Sequence, residues 1–409
     1  MLRISERAAV FPDSPIRKLV PYAEAAKAAG RIVHPLNIGQ PDIKTPQPFM
    51  DTLHHYGKDI IAYGMSQGEP EFRQAMVGYY NTVDIDVNAD DIVITAGGSE
   101  AILFAFHIVA EPGDDVLIFE PYYTNYNAYA CMSSVHLRPV KTYAANGFHL
   151  PSDEEIKAAI GPRTKAMFIS TPNNPTGTVL SESEMHRLAA IAREYNLYVI
   201  SDEVYREFCY DGESHTSVLH IKELEDHAIL VDSISKRYSA CGARIGALVT
   251  RNHVVRDAAI RMAQGRLCPP VIAQAAATAV AKLGMDFFIP LREEYQRRRD
   301  VTYEGLMKTP GVTCLLPKGA FYVMAEMPIA DCETFAKWLL TDFSHQNETV
   351  LVAPGPGFYA TGKYETPGNG LNQIRLAYVI APEKLERAME ILARGVDAFL
   401  EATITAHKS

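Results

Sequence analysis

Several classes of function are excluded by what this sequence lacks. Its six cysteines, at 131, 209, 241, 268, 314 and 332, include no C-x-x-C pair and no cluster at ligand spacing. Neither a disulfide framework nor a metal site is therefore expected, and the thiols read as the reduced cysteines of a cytoplasmic protein. Basic charge is scarce. With 39 Lys and Arg against 49 Asp and Glu the formal net charge is −10, which argues against nucleic acid or an anionic membrane as the main partner. No apolar run approaches the roughly 18 residues of a membrane span. The opening MLRISERAAVFPDSP is too charged for a signal peptide. Repeats, low-complexity tracts and long linkers are missing too.

What is present is ordinary in amount: 409 residues, 47% hydrophobic and 22% charged. That length exceeds what one core usually organises, so a large domain and a smaller one are expected. From about residue 90, short apolar strands alternate with helical stretches. DIVITAG, DVLIFEP, VHLRPVK, KAMFIST, LYVISDE, AILVDSIS and RIGALVT read as strands rich in Val, Ile and Leu. Ser152 with Glu155, and Ser181 with Glu184, have capping-box spacing ahead of amphipathic stretches. Such alternation implies an α/β fold with a mainly parallel sheet flanked by helices. After about residue 290 a charged helix, TCLLPKGAFYVMAEM, a further helix near 333–343 and QIRLAYV suggest a smaller α+β domain. The predicted division is 41–290 for the large domain, with 1–40 and 291–409 forming the small one.

In open α/β sheets ligands bind beyond the carboxyl ends of the strands, and the chemistry-bearing residues fall there. TAGGSEA sets Gly97, Gly98 and Ser99 between a strand and a helix. Bare amides and the helix dipole suit a phosphate at such a place, although a plain strand–turn–helix connection reads the same way. STPNNPTGT holds Asn174 in a rigid turn. ISDEVYREF ends an apolar strand on Asp202, a carboxylate that needs a cationic or hydrogen-bonding partner if buried. Tyr205 follows three residues later. DSISKRYSACGARIG places Lys236 among small residues, with Ser233, Ser235 and Arg244 around it. Desolvation favours a neutral amine able to condense with a carbonyl, while arginine and hydroxyls hold phosphate through charge-assisted bonds. Pyridoxal phosphate, an aldehyde with a phosphate arm and a basic ring nitrogen, uses all of these groups together.

LNIGQPDIKTP, AYGMSQGEPEFRQAM, TAGGSEA, EPYYTNY, TPNNPTG, SDEVY, SISKRYSACGARIG and NQIRLAYV follow one another over nearly the whole chain. In these motifs the sequence resembles the fold-type-I pyridoxal-phosphate aminotransferases of class I/II, the aspartate aminotransferase family. The resemblance implies a seven-stranded sheet, a homodimer and ping-pong transfer of an amino group between an L-amino acid and a 2-oxo acid. It implies that Lys236 holds the cofactor covalently and shuttles the substrate proton, and that Asp202 keeps the ring nitrogen protonated. Tyr205 and Asn174 would bond the phenolic oxygen, and Tyr123 would stack on the ring. Gly98, Ser99, Glu100, Ser233, Ser235 and Arg244 would hold the phosphate end, with Tyr63 reaching it from the partner subunit. Arg375 would clamp the substrate α-carboxylate, with Gly39 and Asn174 beside it.

Three positions depart from the family. Tyr123 and Ala243 stand where tryptophan is common, and Ile16 where some relatives use threonine. A dicarboxylic substrate needs a second cation, either Arg266 from the partner chain or Arg17. Aspartate with 2-oxoglutarate is the pair the resemblance implies. The alternatives are apolar or aromatic amino acids, or β- or γ-elimination by a lyase on the same scaffold. A transcription regulator would need a helix–turn–helix module in the 35 residues before LNIGQPD, which are too few. A dead homologue is opposed by the joint presence of Lys236, Asp202, Arg244 and Arg375.

Overall fold

A computed structural model describes residues 2–406. A short strand β1 (Ile32–Pro35) precedes the seven apolar segments, and each of those segments forms a strand. They are β2 (Ile92–Thr95), β3 (Asp115–Glu120), β4 (His136–Lys141), β5 (Thr164–Ser170), β6 (Tyr198–Asp202), β7 (Ala228–Ser233) and β8 (Gly246–Val249). Together they make one sheet in the order β2-β8-β7-β6-β5-β3-β4. Pairings among β3 to β7 are parallel, while β8 runs antiparallel to both β2 and β7. Helices cover both faces, which is why the inner strands carry nearly unbroken apolar runs rather than alternation, while the edge strand β4, HLRPVK, is mixed and half-buried. The two sides of β7 show it: Leu230 packs into one hydrophobic cluster, Ile229 and Val231 into the other.

Both capping boxes form as the spacing predicts. Ser152 and Glu155 satisfy each other's backbone amides, as do Ser181 and Glu184. Each removes two orphan donors from a helix start.

The C-terminal third adds β9 (Tyr322–Glu326), β10 (Glu348–Leu351), β11 (Ala353–Pro354) and β12 (Gln373–Ala377). The antiparallel order β11-β12-β9 puts β12 in the middle, so Arg375 is shielded by strands on both sides. β1 pairs in parallel with β10 and thereby brings the chain from residue 36 onward against the large sheet. Among the described residues no single helix is long and apolar enough to cross a membrane.

Candidate active site

The ends of β6 and β7, the turn after β2 and the strand β12 converge on a cleft of about 220 Å³. At one end lies the start of the helix Gly98–Val109, whose N-cap is Gly97 at φ 82°. A side chain on Gly97 would run into the Arg244 guanidinium, and one on Gly246 would meet the backbone of Gly97 and Gly98. Glycine is thus required for the close packing of strand, turn and arginine. Arg244 itself adopts φ 54°, in the left-handed region that non-glycine residues rarely enter. Its guanidinium donates to the Cys241 and Ala96 carbonyls at 3.2 and 3.4 Å. It makes no ion pair among the described residues, so its charge is available to an anion. Ser99 accepts a bond from the Tyr129 hydroxyl at 2.7 Å. The Ser233 hydroxyl lies 2.7 Å from that of Ser235 and 3.0 Å from the Ile245 carbonyl.

At the floor, Asp202 ends β6 and is buried. Tyr126 donates to it at 2.7 Å and the Val204 amide at 3.4 Å. Burial raises its carboxyl to about 6, the nearby Asp232 and Glu203 adding to the effect against those two bonds. A cation beside such a buried carboxylate would stabilise its ionised form. Lys236 rises from the four-residue helix Ile234–Arg237 after β7. Its Nζ donates to the Gly39 carbonyl at 2.8 Å and lies 6.0 Å from the Tyr205 and Phe321 ring centroids. Gly39 cannot carry a side chain, since a Cβ there would land on the Tyr322 hydroxyl.

Opposite the floor stands Arg375, 1% exposed. It donates to Asn174 Oδ1 at 3.0 Å and to the Asn37 carbonyl, and it is sandwiched by the Tyr322 and Phe358 rings at 4.6 and 4.9 Å. Its Nε has no partner and no carboxylate pairs with it among the described residues. Burial accordingly lowers its proton affinity. A buried guanidinium without a carboxylate partner, next to an open cleft, suits a carboxylate.

Most of the residues expected from the sequence come together here. Tyr123 lines the cleft at 5.4 Å, edge to face, from Tyr126. Tyr205 is buried and shares a 2.8 Å bond with the Tyr322 hydroxyl. Others are placed elsewhere. Glu100 turns its carboxylate to the Ala96 amide, 2.8 Å away, and to Arg266 at 3.4 Å, so it does not line the cleft. Arg266 also donates to the Ile94 carbonyl at 3.0 Å and stays outside the cleft of its own chain. Tyr63 is 83% exposed on a loop. Arg17, by contrast, lines the cleft mouth with Ile16. Tyr126, Tyr129 and Tyr322 line the cleft too, although the motifs do not single them out. Tyr126 lies within EPYYTNY, one helical turn after Tyr123, and that spacing is the signal the sequence offers for it.

A cleft with an anion-ready arginine at a helix start, a buried carboxylate, a lysine between them and a buried guanidinium opposite fits pyridoxal phosphate and an amino-acid carboxylate. Residues 31–392 match the family described as aminotransferase class I and II. An aspartate/prephenate aminotransferase of Thermus thermophilus is 32% identical over 88% of this chain and 90% of its own. The structure of the Thermus thermophilus aspartate aminotransferase with maleate superposes with a TM-score of 0.86 at 28% identity, over 97% of this chain and 100% of that one. An alanine aminotransferase from Pyrococcus furiosus gives 0.87 at 30% identity, over 97% and 100%. The chain belongs to the class I and II aminotransferases. It is a pyridoxal-phosphate-dependent transaminase with the type I fold of that family.

Proposed function

We propose that the protein transfers amino groups between dicarboxylic substrates, with aspartate as donor and 2-oxoglutarate as acceptor, in a ping-pong cycle. The observation that carries this reading is the charge inventory of the cleft. Four cations line it, Arg17, Lys236, Arg244 and Arg375, against the single carboxylate of Asp202. Arg244 with the hydroxyls and amides around it suits a phosphate, Asp202 suits a protonated ring nitrogen, and Arg375 suits an α-carboxylate. Arg17 is then left without a counter-charge, and a second substrate carboxylate supplies one.

When bound, pyridoxal phosphate provides an aldehyde that condenses with amines and a ring that accepts the electron pair released at the substrate α-carbon. The chain does the rest. Arg375 and Asn174 orient the substrate so that its Cα–H faces Lys236. The Lys236 amine takes that proton and returns it, the Gly39 carbonyl steadying Nζ between the two transfers. Asp202, held by Tyr126, would keep a proton on the ring nitrogen of the bound cofactor, Tyr205 and Asn174 would bond its phenolic oxygen, and Tyr123 would stack on it.

We place the protein in the cytoplasm, a reading that its unpaired cysteines favour. A homodimer is supported by the exposed run Ile60, Ile61, Tyr63 and Met65, each more than half accessible in the single chain, since contiguous apolar surface of this kind marks an interface. Tyr63 would then reach the neighbouring cleft. The large domain would span 41–290, with 1–40 and 291–409 forming the small one.

The test is a half-reaction screen. Holoenzyme is mixed with single amino acids while the bound cofactor's absorbance and the released 2-oxo acid are followed. Rapid oxaloacetate release from aspartate, with alanine slow, is expected. Alanine or phenylalanine reacting while aspartate stays inert overturns the dicarboxylate reading, and release of pyruvate with ammonia makes the protein a lyase. A monomeric mass in solution would end the dimer reading.

A further inference from the structure

Beneath the cleft floor lies a closed set of charges with no part in binding or proton transfer. Glu203, Arg206, Glu207, Asp232 and Arg237 are each 5% exposed or less. Arg206 spans Glu203 at 3.2 Å and Asp232 at 3.4 Å. Arg237 spans Asp232 and Glu207, the latter at 3.2 Å. Tyr80 donates to Asp232 at 2.7 Å, and Tyr79 donates to Glu207. His215, Ser217 and the Val218 amide complete Glu203 at 2.9, 3.1 and 2.8 Å. The two guanidiniums also lie over aromatic faces, Arg237 4.3 Å from the Tyr79 centroid and Arg206 5.4 Å from that of Tyr80.

The placement of these charges along the chain is regular. Glu203 follows Asp202, Arg206 follows Tyr205, Asp232 precedes Ser233 and Arg237 follows Lys236. In each pair one residue faces the cleft and its neighbour faces the layer below. Two segments are involved, the end of β6 with the turn after it and the end of β7 with its short helix. Arg206 ties the first segment to the second through Asp232, and Arg237 ties the second to the first through Glu207. Asp232 then holds the second segment at two points, through Arg237 and through the Ser233 amide at 2.7 Å.

Stability alone does not account for five buried charges, because well-packed apolar residues of similar volume stabilise a core as well or better. What such a lattice supplies is a fixed geometry. Its bonds are directional, every member is anchored from at least two sides, and a shift of one strand end would leave charges unpaired in a dry interior.

We propose that Arg206, Asp232 and Arg237 are positioning residues of the transamination reaction, locking the ends of β6 and β7 so that Asp202 and Lys236 keep their working separation. Removing the lattice lets the lysine drift relative to the ring nitrogen's carboxylate. Substrate binding at Arg375, on a different strand, is spared.

The experiment uses cofactor-loaded Asp232→Asn, Arg206→Met and Tyr80→Phe beside the unsubstituted protein. Tyr80→Phe removes one bond to Asp232 and strands no charge, so it tests the idea even where the other two fail to fold. Three quantities are read: the pH midpoint of the bound cofactor's visible absorbance, the cofactor dissociation constant, and kcat against KM for the donor. The geometry calls for a shifted midpoint in all three variants. It also calls for a fall in kcat of about 10–100-fold for Asp232→Asn and Arg206→Met, the scale of a small misplacement of reacting groups, with donor KM little changed. Folded variants that melt earlier but keep the absorbance midpoint and kcat of the parent would reduce the network to scaffold and overturn the proposal. So would a Tyr80→Phe protein indistinguishable from the parent while Asp232→Asn unfolds. The kinetic arm rests on the transaminase reading, whereas the absorbance arm needs only bound cofactor, so failure of one is separable from failure of the other.

Discussion

The floor of the cleft and its mouth differ in how their charges are held. At the floor, Asp202 takes bonds from Tyr126 and Val204, and its chain neighbour Glu203 is fixed in a buried lattice. At the mouth, Arg17 is exposed and has no ion-pair partner among the described residues. Tyr63, further out, stands almost free of its own chain. A group that moves a proton must be placed to a fraction of an ångström, so its surroundings are over-determined. A group that selects among substrates meets them in water, and an unpaired exposed charge serves there because its partner arrives with the ligand. On the proposed reading, chemistry is rooted in the sheet, and specificity in segments that carry few bonds of their own.

The sharpest way to break this contrast is Lys236→Ala. It should retain the cofactor noncovalently and lose transamination by about a thousandfold or more; turnover near the parent's would remove Lys236 from the chemistry. Asp202→Asn comes next, with two opposite effects expected. Activity should fall by about a hundredfold, because a neutral amide cannot hold the ring nitrogen's proton. Stability of the cofactor-free protein should rise at neutral pH. The sign follows from the raised carboxyl. At about 6 in the folded chain against about 3.9 when unfolded, the folded state binds the proton more tightly. Stability is then fullest below about pH 4, declines as pH rises through 6, and is lower by roughly 3 kcal/mol above that. Urea melts of both proteins at pH 4 and pH 7.5 check this: a variant advantage that fails to grow with pH contradicts the buried, unpaired state of Asp202.

Arg375→Lys tests the wall of the cleft. One of two parallel charge-assisted bonds is lost, worth roughly 1.5–3 kcal/mol, so kcat/KM for every amino acid should drop about 10–100-fold. An equal kcat/KM would mean that the α-carboxylate docks elsewhere. The smallest effect belongs to the mouth. Arg17→Ala should lower kcat/KM for aspartate about fivefold, the scale of an exposed ion pair, and leave alanine untouched. A uniform loss across donors would show that Arg17 supports the fold of the N-terminal segment rather than reading the second carboxylate.

Local features of the chain make much of the molecule legible in its amino-acid sequence. Most strands of the large sheet are readable because they are largely apolar runs buried on both faces; the edge strand β4, HLRPVK, is mixed and half-buried and reads more weakly. The two capping boxes are readable because they span only four residues each. The groups of the floor are legible for the same local reason, since they sit at strand ends beside small residues. The lattice below them is not. Glu203, Arg206, Glu207 and Arg237 look in sequence like a solvated face, and nothing local says that the next layer will cover them. The pairing of β1 with β10, the mouth position of Arg17 and the diversion of Glu100 to Arg266 are equally hidden, because each depends on segments far apart in the chain.

Sequence by itself determined which chemical groups exist and which strand ends and turns carry them, because apolar periodicity, caps and glycine turns act over a few residues. Tertiary structure decided which of those groups meet and which lose their water. Lys236 bonds to Gly39 across 197 positions and Arg375 to Asn174 across 201. Burial of Asp202 and Arg375, and with it the altered proton affinity of both, exists only once strands distant in the chain exclude solvent together.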